Sequence, residues 1–358
     1  MELGTRRVTI SDVAEMAGVS KTAVSFAFNN PDRLGEATAG RIREVAKELG
    51  YRPNPVARAL TRRRVGSIGV LTPQPLSTIF ANPFFSAFSE GVGLAAEESG
   101  YGLNFISPLH GSLTDGLGQA TVDGIVAVGL PADHPEVEGV RRAGMPIVTV
   151  DSSALAEYPS VEVDDEAGAR AAAVHLLGLG HRDFLIIGVE PPMAAGGDDA
   201  DGVISRRLRG YRSAIEAAGV SLPEAAVLVG PATVDGGMAA FQEAWADGLR
   251  PTAVLAMSDA MAIGAIRAIR DLRRLVPGDI SVVGYDDLDL ARLIEPPLTT
   301  VHQPVRQKGE EAVRLLLLAI EGQPQWPERR RLETRLVVRA STAPPPFNRS
   351  QEVSQDQS

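Results

Sequence analysis

Residues 8–30 read Val-Thr-Ile-Ser-Asp-Val-Ala-Glu-Met-Ala-Gly-Val-Ser-Lys-Thr-Ala-Val-Ser-Phe-Ala-Phe-Asn-Asn, and this stretch predicts two short helices joined by a Gly-Val-Ser turn. Thr9 is a suitable N-cap for the first helix, with Asp12 as its capping-box partner three residues later. Gly18 can end that helix in the left-handed conformation, and Ser20 can cap the second helix. This spacing is typical of a helix-turn-helix that reads DNA.

The second helix is predicted from Lys21 to about Phe28, with Val24 and Phe28 packed inward because they lie four residues apart. A third helix over 36–49, ended by Gly50, would close a small core. The alternative is a plain surface hairpin, which three consecutive helices with this spacing disfavour. The outer face would meet base edges and phosphates. With the two capping residues, the candidate DNA contacts of this region are Thr9, Ser20, Lys21, Thr22, Ser25, Phe26 and Asn29.

Charge is distributed unevenly along the chain. Residues 1–64 contain twelve Lys and Arg against seven Asp and Glu, whereas the remainder contains twenty-three against thirty-eight. A basic N-terminal region suits contact with phosphates, so the net charge of −10 does not argue against DNA binding.

Three separated motifs resemble the LacI/GalR family of transcriptional regulators, and the resemblance extends along nearly the whole chain. The motifs are Val8 to Ser25, Gly50-Tyr51-Arg52-Pro53-Asn54-Pro55-Val56-Ala57-Arg58-Ala59-Leu60, and Ile280-Ser281-Val282-Val283-Gly284-Tyr285-Asp286-Asp287. The resemblance implies that Phe26 departs from the arginine common at its position, so an operator preference cannot be carried over. Phe26 could contact a thymine methyl group or pack inward.

The middle motif predicts a short hinge helix, capped by Asn54 with Pro55 in its first turn. Such a helix has under two turns and is unstable alone. The resemblance implies that it folds when two protomers meet over the minor groove, where Leu60 is wedged into a base step. Tyr51, Asn54, Ala57 and Leu60 are therefore further candidate DNA contacts, and an ordinary basic linker is the alternative.

From about residue 65, apolar runs alternate with helical patterns, which predicts parallel sheets covered on both faces. About 275 residues of this pattern suit two doubly wound lobes better than one sheet. The runs that predict strands begin at Ser67, Leu103, Gly124, Pro146, Phe184, Ala253 and Ile280. The fold class is thus α/β, with an all-α head.

The resemblance implies a core of the periplasmic-binding-protein type, two lobes joined by three crossings. The predicted head is 1–52, the hinge 53–64, the core 65–342 and a disordered tail 343–358. Lobe 1 would comprise about 66–163 with 303–330, and lobe 2 about 164–300 with 333–342. The crossings are predicted near 162–166, 299–303 and 329–332.

Ligands of such sheets bind at the carboxyl ends of the strands, so polar residues that follow apolar runs are candidate effector contacts. Asp151, Ser258 and Asp286 follow such runs, and Arg207 is predicted to begin a helix. The resemblance implies that these four, with Gln303 at a crossing and Phe84 and Phe85 as an aromatic wall, line the effector cleft. The alternative is that these aspartates cap helices and that these phenylalanines pack in the core.

Two segments of lobe 1 differ from the family pattern. Gln74 to Ala81 resembles an insertion of unknown role, and His110 to Val122 is too short for the usual long helix. In lobe 2, the acidic, glycine-rich loop Met193 to Gly202 favours a lip on the cleft over a calcium site, because it lacks the EF-hand spacing.

Catalysis and export find little support in the sequence. There is no Cys, and the five His do not have the spacing of metal ligands. The sequence also contains no Gly-x-Ser-x-Gly nucleophile elbow. We therefore expect no catalytic residue, metal or cofactor. A secreted binding protein would need a signal peptide, but Met1 to Ile10 is charged and too short for one. No run of about 18 apolar residues occurs, so we expect a cytoplasmic protein with no membrane partner.

The geometry of DNA predicts a homodimer on a palindromic operator, because one head supplies few base contacts. The C-terminal residues from Ala343 are polar and proline-headed, and lack the heptads of a tetramerising coil. The predicted protein is an allosteric repressor controlled by a sugar or related metabolite between the lobes. The sequence does not distinguish inducer from corepressor.

Overall fold

The structure is a computed structural model that describes residues 8–52, 64–130, 134–152, 158–190, 202–322 and 328–346. The chain divides into two units, residues 1–66 and 67–358, called here the head and the core. The predicted hinge lies outside the described residues except for Arg64, and so do the predicted DNA contacts Asn54, Ala57 and Leu60. The acidic loop is likewise outside them except for Gly202.

The head contains helices α1 (Ile10–Ala17), α2 (Lys21–Asn29) and α3 (Glu36–Glu48). The predicted caps are confirmed. The Asp12 carboxylate accepts hydrogen bonds from the Thr9 backbone N at 2.8 Å and the Thr9 hydroxyl at 2.7 Å. The Ser20 hydroxyl accepts from the Ala23 backbone N at 3.1 Å. Gly18 has φ 62°, the left-handed conformation that the turn requires.

Small aliphatic side chains from all three helices form the core of the head. Val24 is fully buried, and Phe28 is half-buried with its ring centroid 5.9 Å from that of Tyr51. The inward orientation predicted for Val24 and Phe28 is therefore confirmed. A 3-10 turn at Pro31–Arg33, which the sequence pattern did not predict, joins α2 to α3. The buried residues are Val13, Ala14, Ala17, Val24, Ala27, Ile42 and Ala46.

The core consists of two six-stranded sheets with helices on both faces, as the alternation of patterns predicts. Its strands are β1 Ser67–Leu71, β2 Gly102–Ile106, β3 Ile125–Val128, β4 Ile147–Val150, β5 Ser160–Val163, β6 Phe184–Val189, β7 Val227–Gly230, β8 Ala253–Ala256, β9 Ser281–Asp286, β10 Thr299–His302, β11 Arg329–Leu332 and β12 Arg335–Val337. Its helices are α4 Leu76–Ala81, α5 Pro83–Glu98, α6 Leu113–Gly118, α7 Pro135–Arg142, α8 Asp165–Gly178, α9 Val203–Ala217, α10 Val234–Ala246, α11 Asp259–Asp271, α12 Asp289–Leu293 and α13 Val305–Ile320.

The two sheets have equivalent strand orders. The first runs β11-β5-β4-β3-β1-β2 and the second β12-β10-β9-β8-β6-β7. Neighbouring strands are parallel, except that β12 is antiparallel to β10. Each sheet and its covering helices form one lobe, with α13 packed on β3, β4 and β5 of the first lobe. The carboxyl ends of β4 and β9 therefore lie in different lobes of the same unit.

The chain passes between the sheets after β5, after β10 and after β11. The third crossing was predicted near 329–332 and lies just after it, at 333–334, because 329–332 is itself the edge strand of the first sheet, paired with β5. Its run of three arginines gave no apolar pattern by which a strand could be recognised. Edge strands are seldom buried on both faces, which explains the polar sequence.

Two further expectations require correction. Helix α9 begins at Val203, so Arg207 lies in its second turn and does not begin the helix. The predicted tail starts too early, because Ala343 is tied to the second lobe through bonds from His181 Nε2 to its carbonyl at 2.8 Å and from its backbone N to Ser281 Oγ at 3.0 Å. In lobe 1, the insertion contains α4, and residues 110–122 contain only the six-residue α6.

Candidate ligand cleft and DNA-contacting face

Arg207 is held inside the second lobe by contacts on several sides. Its Nε donates to Asp165 Oδ1 at 2.9 Å, and its Nη1 donates to the Met257 carbonyl at 2.6 Å. The guanidinium lies 3.6 Å from the centroid of the Tyr285 ring. Asp286 Oδ1 is 3.9 Å from Nη1. Arg207 is therefore a buried, oriented cation at the carboxyl ends of β8 and β9.

Asp165, which the sequence analysis did not select, is the main carboxylate partner of this cation. It is fully buried at the first position of α8 and also accepts from Arg206 Nη2 at 2.9 Å. Burial disfavours its charged form, but Arg207, Lys308 and Arg206 outweigh that cost and lower the pKa of Asp165. Asp165 is thus an ionised anchor for both arginines.

Asp286 lies where β9 ends and is almost completely buried. It has φ 120°, a conformation that L-residues rarely adopt and that aims the residue away from the regular strand path. Its Oδ1 accepts from Gln303 Nε2 at 2.5 Å. Burial raises the pKa of Asp286 to about 6, despite the nearby Arg207 charge and the Gln303 hydrogen bond.

In the first lobe, Asp151 is paired with a lysine that the sequence analysis missed. Lys308 on α13 is fully buried, and its Nζ donates to Asp151 Oδ1 at 2.6 Å and Oδ2 at 2.8 Å. The same Nζ donates to Gln303 Oε1 at 2.6 Å. The sequence carried a signal for this lysine, because it falls three residues after Val305 and four before Ala312, on the buried stripe of an amphipathic helix.

These contacts form one continuous series of hydrogen bonds and charge contacts across both lobes, called here the polar chain. It brings together four of the seven predicted effector residues. Gln303 connects the lobes, since its amide oxygen accepts from Lys308 and its amide nitrogen donates to Asp286. The members, in order, are Asp151, Lys308, Gln303, Asp286, Arg207 and Asp165.

The structure gives Ser258 the alternative role of a helix cap. Its hydroxyl accepts from the Met261 backbone N at 3.2 Å at the start of α11. The adjacent Asp259 accepts from the Leu288 backbone N at 2.8 Å and from the Thr300 hydroxyl at 2.5 Å. Burial and the nearby Asp286 raise the pKa of Asp259 well above its ordinary value. Asp259 therefore supports the segment that follows Asp286, whereas Ser258 caps its own helix.

The two phenylalanines of the first lobe lie beside the polar chain and pack edge to face on each other, with ring centroids 5.5 Å apart. Phe85 is 8% exposed and belongs to the core of the first lobe, which is the alternative considered for it. Phe84 is half-buried, and its ring centroid is 5.7 Å from Lys308 Nζ. Phe84 is therefore the better placed of the two for contact with a ligand.

A cavity of about 410 Å³ is lined by the second crossing, the start of α13, the segment after β9 and part of α5. Asp286 and Gln303 line it, whereas Arg207, Asp151 and Phe84 do not. Its wall mixes both signs of charge, including Asp287, His302 and Arg306. The polar chain thus borders this cavity at only two of its members, and most of its charged groups face one another.

In the head, Lys21 and Thr22 are exposed on the first turn of α2. Ser25 accepts a hydrogen bond from Asn29 Nδ2 at 3.3 Å. Phe26 is half-buried but lies outside the hydrophobic core of the head, and the Arg33 guanidinium lies 5.4 Å from its ring centroid. Of the two orientations considered for Phe26, the structure therefore favours the one outside the core.

The remaining candidates of the head carry structural contacts. Thr9 and Ser20 are exposed caps, as described above. Tyr51 packs on Phe28, and burial raises the pKa of Tyr51. Within the described ranges, no three His, Cys, Asp or Glu side chains come together as metal ligands. No helix in the described part of the chain is long and apolar enough to cross a membrane.

Together, a helix-turn-helix head and a two-lobed core of doubly wound sheets define a class of ligand-responsive DNA-binding proteins. Residues 9–54 match the family of bacterial regulatory proteins called lacI, and residues 173–342 match a periplasmic binding protein-like domain. The transcriptional regulator CelR of Thermobifida fusca is 36% identical over 343 residues, which cover 94% of this chain and 98% of CelR.

Two solved structures agree with this match. The complex of CelR with cellobiose aligns with a TM-score of 0.68 and 34% identity, covering 94% of this chain and 100% of that one. The Lac repressor dimer bound to operator and the anti-inducer ONPF aligns with a TM-score of 0.78 and 28% identity, with the same coverage. The chain belongs to the LacI family. It is a transcriptional regulator and not an enzyme.

Proposed function

We propose that this regulator is an allosteric repressor that binds a palindromic operator as a homodimer and responds to a sugar or related metabolite bound between its lobes. The observation that carries this proposal is the polar chain, which joins residues of both lobes at the carboxyl ends of their strands. A ligand that competes for these bonds would change how the lobes are held together. We assign its action to the cytoplasm, where its operator DNA is found.

For DNA contact, we assign the predicted head, 1–52, to base recognition and the predicted hinge, 53–64, to contact with the minor groove. Lys21 and Thr22 are exposed at the N-terminus of α2, where side chains and backbone N–H groups can reach phosphates and base edges. Phe26 with Arg33 beside it offers an apolar ring and a cation on the same face. Ser25, Asn29 and Tyr51 complete the assigned set of described contacts.

For the effector, Arg207 and Asp286 supply a fixed donor and an acceptor, an arrangement that suits sugar hydroxyls. Asp151 and Gln303 extend the same surface into the first lobe, and Phe84 offers a ring face for a sugar. Ser258 and Phe85 are assigned a supporting role, because one caps α11 and the other packs in the core. CelR, which is similar over nearly the whole chain, binds cellobiose.

For the dimer, the second lobe carries exposed leucines on neighbouring elements at the end of α11 and on α12. Leu275 is 68% exposed and Leu293 78% exposed, with Leu272 and Leu290 partly exposed nearby. Large apolar side chains exposed together favour burial against a partner. A second copy of the chain is the proposed partner, by similarity to the Lac repressor dimer.

The test is fluorescence anisotropy on a DNA site selected from random sequences, titrated with the full-length protein. Cellobiose or ribose, used as probes, should change operator affinity at least tenfold in either direction, and affinity should fall steeply with salt. Phe26→Arg should change the selected site while the protein stays folded. Selection of no preferred DNA site, or of the same site by Phe26→Arg, would contradict the assigned head. An affinity indifferent to both sugars would contradict the sugar assignment.

A further inference from the structure

Lys308 is unusual among the residues of the cleft because it is an ammonium group with no exposure to solvent. A buried lysine is retained in its charged form only when its partners compensate for lost hydration. Here the three N–H groups match three acceptors, the two oxygens of Asp151 and the amide oxygen of Gln303. The ammonium therefore has no donor left for an additional acceptor.

The charges around the polar chain also balance. Three carboxylates, Asp151, Asp165 and Asp286, lie among three cations, Lys308, Arg206 and Arg207. Each cation already contacts a carboxylate within this set. The nearby Asp259 is a carboxyl group, so it adds no cation to this set. Among these six described residues, no cation is in surplus for a ligand that carries its own negative charge.

A ligand that reaches Lys308 has to replace one of its present acceptors. A hydroxyl group can take the place of the Gln303 oxygen and donate its own proton to Asp151, so the ion pair survives. A carboxylate or phosphate can only accept, and would compete with Asp151 for the same ammonium. Asp151 would then be left buried beside a second negative charge, which is costly.

We infer that the Lys308–Asp151 pair determines ligand specificity, selecting neutral polyhydroxylated ligands and excluding those that carry a carboxylate or phosphate. This inference rests on the proposed function, in which the effector binds between the lobes. It extends the proposed function by stating that the ligand is neutral. It also assigns a specificity role to a lysine on α13. Exclusion arises from the pairing of Lys308, while Arg207 and Asp286 hold the ligand.

The experiment is titration calorimetry on the full-length protein with two matched pairs of probes, cellobiose with cellobionate and ribose with ribose 5-phosphate. The wild type should bind at least one neutral sugar about tenfold or more tightly than its anionic counterpart. Asp151→Asn, which has nearly the same shape, leaves Lys308 without its counter-charge. That variant should shift the ratio at least about tenfold towards the anionic probe.

Lys308→Met should weaken the neutral sugar about tenfold or more, without any gain for the anionic probe. Arg314→Met is the matched control on the same helix, because its side chain is 53% exposed and pairs with Glu310 and Glu311. Its sugar affinity should match the wild type. Circular dichroism and operator binding without sugar establish that each variant is folded.

Three outcomes would overturn the inference: a wild type that prefers an anionic probe, an unchanged ratio in Asp151→Asn, or no binding of any of the four probes. An unchanged ratio with an intact sugar-dependent change in operator affinity would leave the proposed function standing. Loss of operator response in the wild type would instead count against the proposed function. The two failures are therefore distinguishable.

Discussion

The two lobes share a strand order but bury charge in different ways. In the second lobe, Arg207 lies over the ring of Tyr285 and pairs with the buried Asp165, with the buried Asp286 close by. In the first lobe, both faces of the sheet pack aliphatic and aromatic side chains, and among the described residues Asp151 and Lys308 form the buried ion pair. Topology therefore does not determine where a lobe places its charges.

This difference indicates that the buried cations of the two lobes have different roles. The arginine of the second lobe is part of how that lobe is built, because it compensates a carboxylate that solvent cannot reach. The lysine of the first lobe reaches the second lobe through Gln303, and under the inference above a ligand hydroxyl replaces that bond. We expect substitution of the buried charges in the second lobe to lower stability as well as ligand binding, and substitution of Lys308 in the first lobe to act mainly on ligand binding.

The largest effect is expected for Arg207→Met. Asp165 would stay fully buried with Arg206 as its remaining partner, and loss of one member of a buried pair costs about 3–5 kcal/mol. Urea denaturation followed by circular dichroism measures this. Arg209→Met is the control, since its pair with Glu166 is about half exposed and is expected to cost under about 1 kcal/mol. Equal costs for the two variants would contradict a structural role for Arg207.

The raised pKa of Asp286 predicts that the stability of the second lobe depends on pH. Burial raises its pKa to about 6 from an ordinary value of 3.8, so the folded state holds this proton more tightly than the unfolded chain. The resulting stabilisation is complete below pH 3.8 and is lost as the pH rises through 6. Asp286→Asn should remove this loss, up to about 3 kcal/mol. Unfolding measured from pH 4 to 8 checks it, and parallel curves for the variant and the wild type would contradict it.

A smaller effect, of the same size in both lobes, is expected for substitution of a glycine at which two helices pack closely. A Cβ at Gly91 would meet the Arg306 carbonyl of α13, and one at Gly210 would meet the Glu166 carbonyl of α8. Alanine at either position should cost about 1–3 kcal/mol through overpacking. Gly139→Ala is the control in α7, where the space is open, and it should stabilise by about 0.5–1 kcal/mol. A cost confined to one lobe would mean that the lobes differ in packing as well as in charge.

The smallest effect on stability is expected for the pair at the cleft. Lys308→Met should cost about 1–2 kcal/mol, less than Arg207→Met, because the Asp151 side chain keeps 8% of its exposure whereas that of Asp165 has none. The double variant Asp151→Asn with Lys308→Met should be close to the wild type, since it removes both charges. Thermal unfolding of the two single variants and the double variant forms a complete cycle. A double variant that is as unstable as Lys308→Met would place this pair with the structural charges of the second lobe.

Local patterns in the sequence accounted for most of the fold. The Thr9 and Ser20 caps and the Gly18 turn depend on residues within four positions of one another, so the sequence states them directly. Long apolar runs predicted the central strands to within about two residues, because burial on both faces requires such runs. Apolar runs did not reveal β5, β7, β10, β11 and β12, since strands of three or four residues with polar or exposed positions lack that pattern.

The order of residues along the chain was enough to predict the helix-turn-helix head, the two doubly wound lobes and the strand ends at which Asp151 and Asp286 lie. The tertiary structure decided the partners of those carboxylates. Lys308 is 157 residues from Asp151, and Arg207 is 42 residues from Asp165. Ser258 satisfied the same sequence criterion as Asp286 but caps a helix. The physical reason is that a charge is stabilised by whatever the fold brings within hydrogen-bond distance, and separation along the chain does not indicate this.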